Sequence, residues 1–568
     1  MNHESFPTPA PTDQPSITII VPAENIALIS SNRDPDISQP PAPRPWWVGP
    51  PLFLLIALYI LPLAGAPPAT NPNEVIRIEL AASMAFLAQV DLGTAAAIYG
   101  LSEDVSVRDG EIYSDKAPGL SIVSAPVLWI VSPILPRSSS SGLPDFWPLR
   151  HALTLLLIAL PSAGLAFLVA AAVPNADPRQ RTAFALIAAL ATPMWTYGTV
   201  FFGHAPAALL VTLAWFLLLG FPDRLSPIGP RRAALGGAAA GFAAATEYPT
   251  LLLVAVLFVT LLVRRTTLPI LATAVAGAIA GALPALVYHQ LAFGVPWITG
   301  YALKAHGDFQ AIHARGVFGV SFPTIDALWG ILFGARRGIF YYCPLVLLTP
   351  PGLWWMVRSR GWRNAGPILT ATATYVFFTA GFVDWTAGWC AAARHLVPIV
   401  PLAVVVALYA ATRLAKHRFG AVIVVILIAV SGTNAVLTIV LTPFFPPEFG
   451  APLAQLVVPS LADGAGFSNL VSSGIGIAPP LVVILIGVIL LAALIWATGR
   501  LVRDRKIWLP AISLTTVAVL LLIYSWQGSA AKAETEIMRS QVLRRLGHTV
   551  VADRIEDSLL SAITPARD

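Results

Sequence analysis

Uninterrupted apolar runs of about 18 residues or more recur along most of this 568-residue chain, each long enough to cross a hydrocarbon core of about 30 Å. A transmembrane β-barrel would need short segments of alternating polarity, and these runs are continuous. Charged residues make up only 11% of the chain and hydrophobic ones 56%, whereas an ordinary soluble domain is roughly 25% charged. A cytosolic enzyme, a secreted disulfide scaffold and a disordered chain are excluded. The expected fold class is an all-α polytopic membrane protein.

Charge then sets the topology. The formal net charge is +6, but the basic residues fall in short loops, as positive-inside orientation requires; they are not read as a nucleic-acid surface. Arg231 and Arg232, Arg264 and Arg265, Arg358 to Arg363, Arg413 to Arg418, and Arg500 to Lys506 are placed inside. Segments 67–117, 292–335, 384–395, 443–479 and 527–568 are then outside. Spans are expected at about 48–66, 118–135, 151–173, 182–201, 204–221, 268–290, 339–357, 366–383, 396–412, 419–442, 480–498 and 508–526. A hairpin over 233–263 carries Glu247 at its tip, below the outer surface. Charge balance favours about thirteen spans (range 12 to 14), with 118–135 only partly inserted. Residues 1–46 are polar and proline-rich and are expected to form a disordered cytoplasmic tail, with Trp46 and Trp47 anchoring the first span. The acid-rich stretch 67–117 reads as the first external loop, holding amphipathic helices on the membrane surface. Residues 47–526 form the membrane domain, and 527–568 an external helical tail. The two cysteines, Cys343 and Cys390, lack metal-ligand spacing.

The sharpest local feature is Tyr113-Ser114-Asp115-Lys116-Ala117-Pro118 at the end of the first external loop. A carboxylate beside an ammonium can serve both ends of one displacement. The carboxylate accepts a proton from an incoming hydroxyl, and the cation stabilises a departing phosphate. An interfacial ion pair capping the next helix would leave the same residues. Arg337 at an external span end can clamp a phosphate or snorkel to headgroups. Trp385, Trp389 and Arg394 combine sugar-stacking faces with a guanidinium, although tryptophan is enriched at any membrane interface. Glu247 is an ionisable group in an apolar stretch, with a structural salt bridge as the plain alternative. His204 lines a cavity or satisfies a carbonyl. His306, Asp308 and His313 have loose metal-like spacing without a third strong ligand, so no metal site and no cofactor is assigned.

Asn73-Glu74-Val75-Ile76-Arg77, the Tyr113–Pro118 motif, Tyr197 to His204, Glu247-Tyr248-Pro249, Arg337-Gly338-Ile339-Phe340 and Trp385 to Pro398 follow one another in an order that resembles the GT-C glycosyltransferases. Within these, the chain is most similar to the protein O-mannosyltransferase and lipid A aminoarabinose transferase branch, glycosyltransferase family 39. The resemblance runs from about 48 to 412. It implies a GT-C-like bundle and inverting transfer of a sugar from a polyprenyl-phosphate donor to an acceptor hydroxyl on the periplasmic face of a bacterial inner membrane. The acceptor's class, whether protein, lipid or polysaccharide, stays open. Lys116 inherits the phosphate-contacting role by resemblance. The family's usual catalytic aspartate falls on Asn73, and an amide cannot act as a carboxylate base, so the role passes to Asp115 first and Glu74 second. Arg337 and Arg394 complete the expected phosphate clamp; Tyr113, Trp385, Trp389, His204 and Glu247 are expected around the sugar or acceptor. Two rival readings are a transporter or flippase of a lipid-linked sugar, and a non-catalytic lipid-binding partner. A transporter of this kind often carries internal repeats with broken midplane helices, and no repeat is visible.

Overall fold

The computed structural model describes residues 50–63, 71–220, 228–316, 319–465, 489, 492–502 and 533–563. The expected tail 1–46, its two tryptophans and the span at 508–526 lie outside these residues, as does most of the span at 480–498. The described chain is largely helical: α1 (Pro50–Leu63), α2 (Pro72–Ala82), α3 (Gly119–Val131), α4 (Phe146–Ala172), α5 (Pro178–Leu190), α6 (His204–Leu219), α7 (Pro230–Thr246), α8 (Leu251–Val263), α9 (Leu268–Phe293), α10 (Thr349–Arg360), α11 (Trp362–Gly381), α12 (Arg394–Leu414), α13 (Arg418–Val440), α14 (Ala533–Arg545) and α15 (Thr549–Ile563). Among the described residues, α4, α9, α12 and α13 are long and apolar enough to cross a membrane.

Solvent exposure argues the same way. Val275, Ile279, Leu283, Val287 and Leu291 of α9 all face outward. An apolar stripe of that length is untenable in water and ordinary in lipid. By contrast α5 is buried from Thr182 to Leu190, and the neighbouring Trp195 indole donates to the Leu58 carbonyl at 3.1 Å.

Helices α7 and α9 pack backbone to backbone. Gly237 and Gly241 face the carbonyls of Ala274 and Ala278, while Gly277 and Gly281 face those of Ala234 and Ala238. This is a reciprocal pair of Gly-x-x-x-Gly stripes, which lets backbones approach where lipid supplies no hydrophobic drive. A Cβ at Gly241 would collide with the Ala278 carbonyl. Gly241→Val should therefore separate the pair and lower the thermal unfolding midpoint, by the equivalent of about 1–3 kcal/mol. The same change at Gly229, where a Cβ meets open space, is the control.

Segment 67–117 corrects two expectations. Its first helix, α2, is buried from Asn73 to Ala82 instead of lying on a membrane surface, and beyond it comes a two-stranded antiparallel hairpin, β1 (Val105–Arg108) and β2 (Glu111–Ser114). The reason is local. Asp109 and Gly110 both take positive φ, 54° and 85°, the geometry of a type I′ turn, for which Asp-Gly is a preferred pair.

Candidate functional site

The hairpin register builds the site. Val105 pairs with Ser114, so the residues just beyond that pair, Asp104 and Asp115, become neighbours; the Asp115 N–H donates to the Asp104 carbonyl at 3.3 Å. Lys116 Nζ lies 3.0 Å from Asp104 Oδ1 and 3.1 Å from Asp115 Oδ1. From the segment between α9 and α10 Lys304 brings its Nζ to 2.8 Å from Asp115 Oδ2, and its backbone bridges to Ser106. Two carboxylates and two ammoniums thus interlock, with Asp115 wholly buried.

The titration of the cluster follows from that packing. Burial pushes the Asp104 carboxyl up, but the Lys116 and Lys304 ammoniums outweigh it and hold the group below the usual carboxylate range. Burial works against the Lys116 ammonium, and Asp104 and Asp115 reverse that, leaving its pKa raised. Lys304 is lowered, by burial first and then by Lys116.

Asp104, Lys116 and Lys304 border a polar cavity of about 520 Å³. Its walls come from five places in the chain: Asn71 to Asn73 with Glu103, Asp104 and Lys116; Tyr301 to His313; Phe382 to His395; Thr442 and Phe444; and Val542, Arg545 and Leu546. These are largely the five segments that the charge pattern assigns to one side of the membrane. An apolar groove of about 520 Å³ is lined by Phe340, Leu353, Trp354, Val376, Leu396 and Val400 among others. The start of α12 contributes to both: Arg394 and His395 line the polar cavity, and Leu396 the groove.

The expected residues divide by position. Lys116, Arg394 and Trp389 border the cavity. Asp115 lies directly behind Lys116. Glu74 is elsewhere: its carboxylate is gripped by Arg150 at 2.7 and 3.2 Å and accepts the Phe201 N–H at 2.7 Å. That corrects its assignment as a base: the carboxylate is buried against Arg150 and does not border the cavity. Arg337 is likewise corrected. It is fully buried and donates to the carbonyls of Arg336, Thr386, Gly388 and Phe445, holding the cavity wall from behind and leaving no free face for a phosphate. Tyr113 packs edge-on against Phe293, and Trp385 against Gly330; neither reaches the cavity.

Glu247 pairs with Arg77 at 2.8 Å and stands 3.6 Å from His204 Nδ1. Arg77 also donates to Asn73 Oδ1 at 3.0 Å and to the Ala117 carbonyl at 2.9 Å. The arrangement ties α2, α3 and the α7–α8 break together beneath the cavity. His204 in turn sits 5.6 Å from the His395 ring. Glu247 and His204 do not line the cavity.

Asp104, Lys304, Tyr301 and Arg545 are the additions. His313 stacks on Tyr301 at 4.8 Å, and both line the cavity. Among the described residues no three His, Cys, Asp or Glu side chains converge as a metal site would require.

A further carboxyl, Glu79 on α2, is fully buried with neither oxygen hydrogen-bonded. Burial raises its pKa to about 8. The sign is that of an acid raised on folding: between the ordinary 4.5 and about 8 the native state holds a proton the unfolded chain has released, so stability falls as pH rises through that window. Glu79→Gln should therefore raise the unfolding midpoint at pH 9 and leave it nearly unchanged at pH 4. An equal shift at both would exclude the buried-proton account.

No protein-family model matches the chain, and no curated protein matches it. Among solved structures it is similar to ArnT from Cupriavidus metallidurans bound to undecaprenyl phosphate, at 18% identity over 79% of this chain and 76% of that one, with a TM-score of 0.44. The apo form of the same protein aligns over the same shares with a TM-score of 0.42. The Archaeoglobus fulgidus oligosaccharyltransferase AglB, in complex with an inhibitory peptide and a dolichol-phosphate, aligns at 11% identity over 68% of this chain and 54% of that one, with a TM-score of 0.38.

Proposed function

We propose that this chain is a GT-C-type glycosyltransferase of a bacterial inner membrane. It moves a sugar from a polyprenyl-phosphate donor to an acceptor hydroxyl on the external face, through a membrane domain of about thirteen spans. The observation that carries this reading is the start of α12, where successive residues line a cation-bearing cavity, Arg394 and His395, and an apolar groove, Leu396. An amphiphile with a phosphate head and an isoprenoid tail has one part suited to each surface. Positive-inside charge supports the external orientation.

The chemistry divides among the residues as follows. Lys116 and Arg394 receive the donor phosphate. As Lys116 turns to the phosphate it withdraws from Asp104, whose carboxylate then accepts the proton of the acceptor hydroxyl. The acceptor oxygen bonds to the anomeric carbon, the carbon–oxygen bond to phosphate breaks, and lipid phosphate leaves with its electron pair, inverting configuration. Asp115, paired with both lysines, positions them. Asp104 therefore takes the base role that the sequence alone gave to Asp115.

Binding of undecaprenyl phosphate to the purified protein tests the reading. Lys116→Ala or Arg394→Ala should each weaken it about tenfold to a hundredfold, the loss of one charged hydrogen bond in a partly wet site. Unchanged affinity in the double variant would remove the lipid phosphate from this cavity. Flux of a lipid-linked sugar across vesicles without turnover would favour the transporter instead.

A further inference from the structure

The C-terminal helices α14 and α15 were expected only as an appendage, yet Val542, Arg545 and Leu546 form part of the cavity wall. The other arginines in this pair have protein partners. Arg539, nearly buried, joins Asp463 of the body and Glu536 of its own helix. Arg544 pairs with Asp553 and Glu556, and Arg554 donates to the Asp463 carbonyl at 3.2 Å. Arg545 differs. Its guanidinium lies 5.5 Å from the centre of the Trp389 ring, and both residues face the cavity. Among the described residues no carboxylate pairs with it.

Apolar residues of both helices, among them Val542, Leu543, Leu546, Ala552 and Ile555, are buried in the core, and the end of α14 carries a cation onto an aromatic face at the cavity. A guanidinium stacked on a ring keeps its in-plane N–H groups free for an anion. We infer that Arg545 is a contact for an anionic group of whatever the cavity holds. The inference rests on the cavity being the binding site proposed above, but not on the ligand being a lipid.

The test uses the full-length chain carrying Ile312→Cys, at a half-buried residue that lines the cavity; both natural cysteines are buried. Labelling by a water-soluble maleimide reports access to the cavity. Inorganic phosphate should slow labelling, and Arg545→Gln should abolish that protection while Arg545→Lys keeps part of it. Protection absent from the parent protein, or undiminished in Arg545→Gln, would overturn the anion contact. Undecaprenyl phosphate in the same assay separates the two readings: if it fails to protect while inorganic phosphate succeeds, the lipid-donor proposal falls and the Arg545 contact stands.

Discussion

Asp104→Asn protein should bind undecaprenyl phosphate at least as well as the natural chain, yet release it from a sugar-loaded donor about 10²–10⁴ times more slowly. The asparagine keeps the shape and one hydrogen bond to Lys116, 3.0 Å away in the natural chain, but it cannot take a proton. Removing a negative charge beside Lys116 also leaves that cation freer for phosphate. Single-turnover release of lipid phosphate is the measurement. If turnover is undiminished, the base is elsewhere, and Asp115→Asn is then the variant that must show the loss. Full activity in both would eliminate a carboxylate base from this cluster. Asn73→Asp adds a carboxylate at the cavity rim; a rise in rate there would mean that the natural amide slows the chain.

The largest expected loss of stability is at Arg150. Its guanidinium and the Glu74 carboxylate are both buried, 2.7 Å apart, and the pair fixes the start of α4 against α2. Arg150→Met would strand a buried, unpaired carboxylate, at a cost of about 3–5 kcal/mol. Adding Glu74→Gln to that variant should recover much of the loss, because the amide is neutral and retains an oxygen for the Phe201 N–H. Thermal unfolding in detergent would show the order: natural chain, double variant, single variant. A single variant as stable as the natural chain would mean that Glu74 is not held as described.

Apolar periodicity and the positions of arginine made the helical membrane architecture legible in the sequence. They also identified the segments that converge on the cavity. What they could not show was pairing at a distance. Lys304 lies in a loop with no motif around it, and only the register of β1 with β2 brings Ser106, and hence Asp115, to its side. The Asp109-Gly110 turn was the available signal for that hairpin, and from it the adjacency of Asp104 and Asp115 follows. Glu74 and Arg337 illustrate the opposite failure. Both stand in motifs that suggest chemistry, but a charged side chain in a buried place is as readily consumed by a guanidinium or a set of carbonyls, and sequence alone does not say which. Arg545 was out of reach because its partner, Trp389, is more than 150 residues away in the chain.

The opening of α12 also couples two surfaces. Residues 394–399 form a 3-10 turn, which rises about 2 Å per residue, so the backbones of Arg394 and Leu396 are separated by only about 4 Å along the axis. One turn of main chain thus carries a cation of the polar cavity and an apolar side chain of the groove. Any displacement of that turn moves both linings together, so neither surface can be reshaped there without the other.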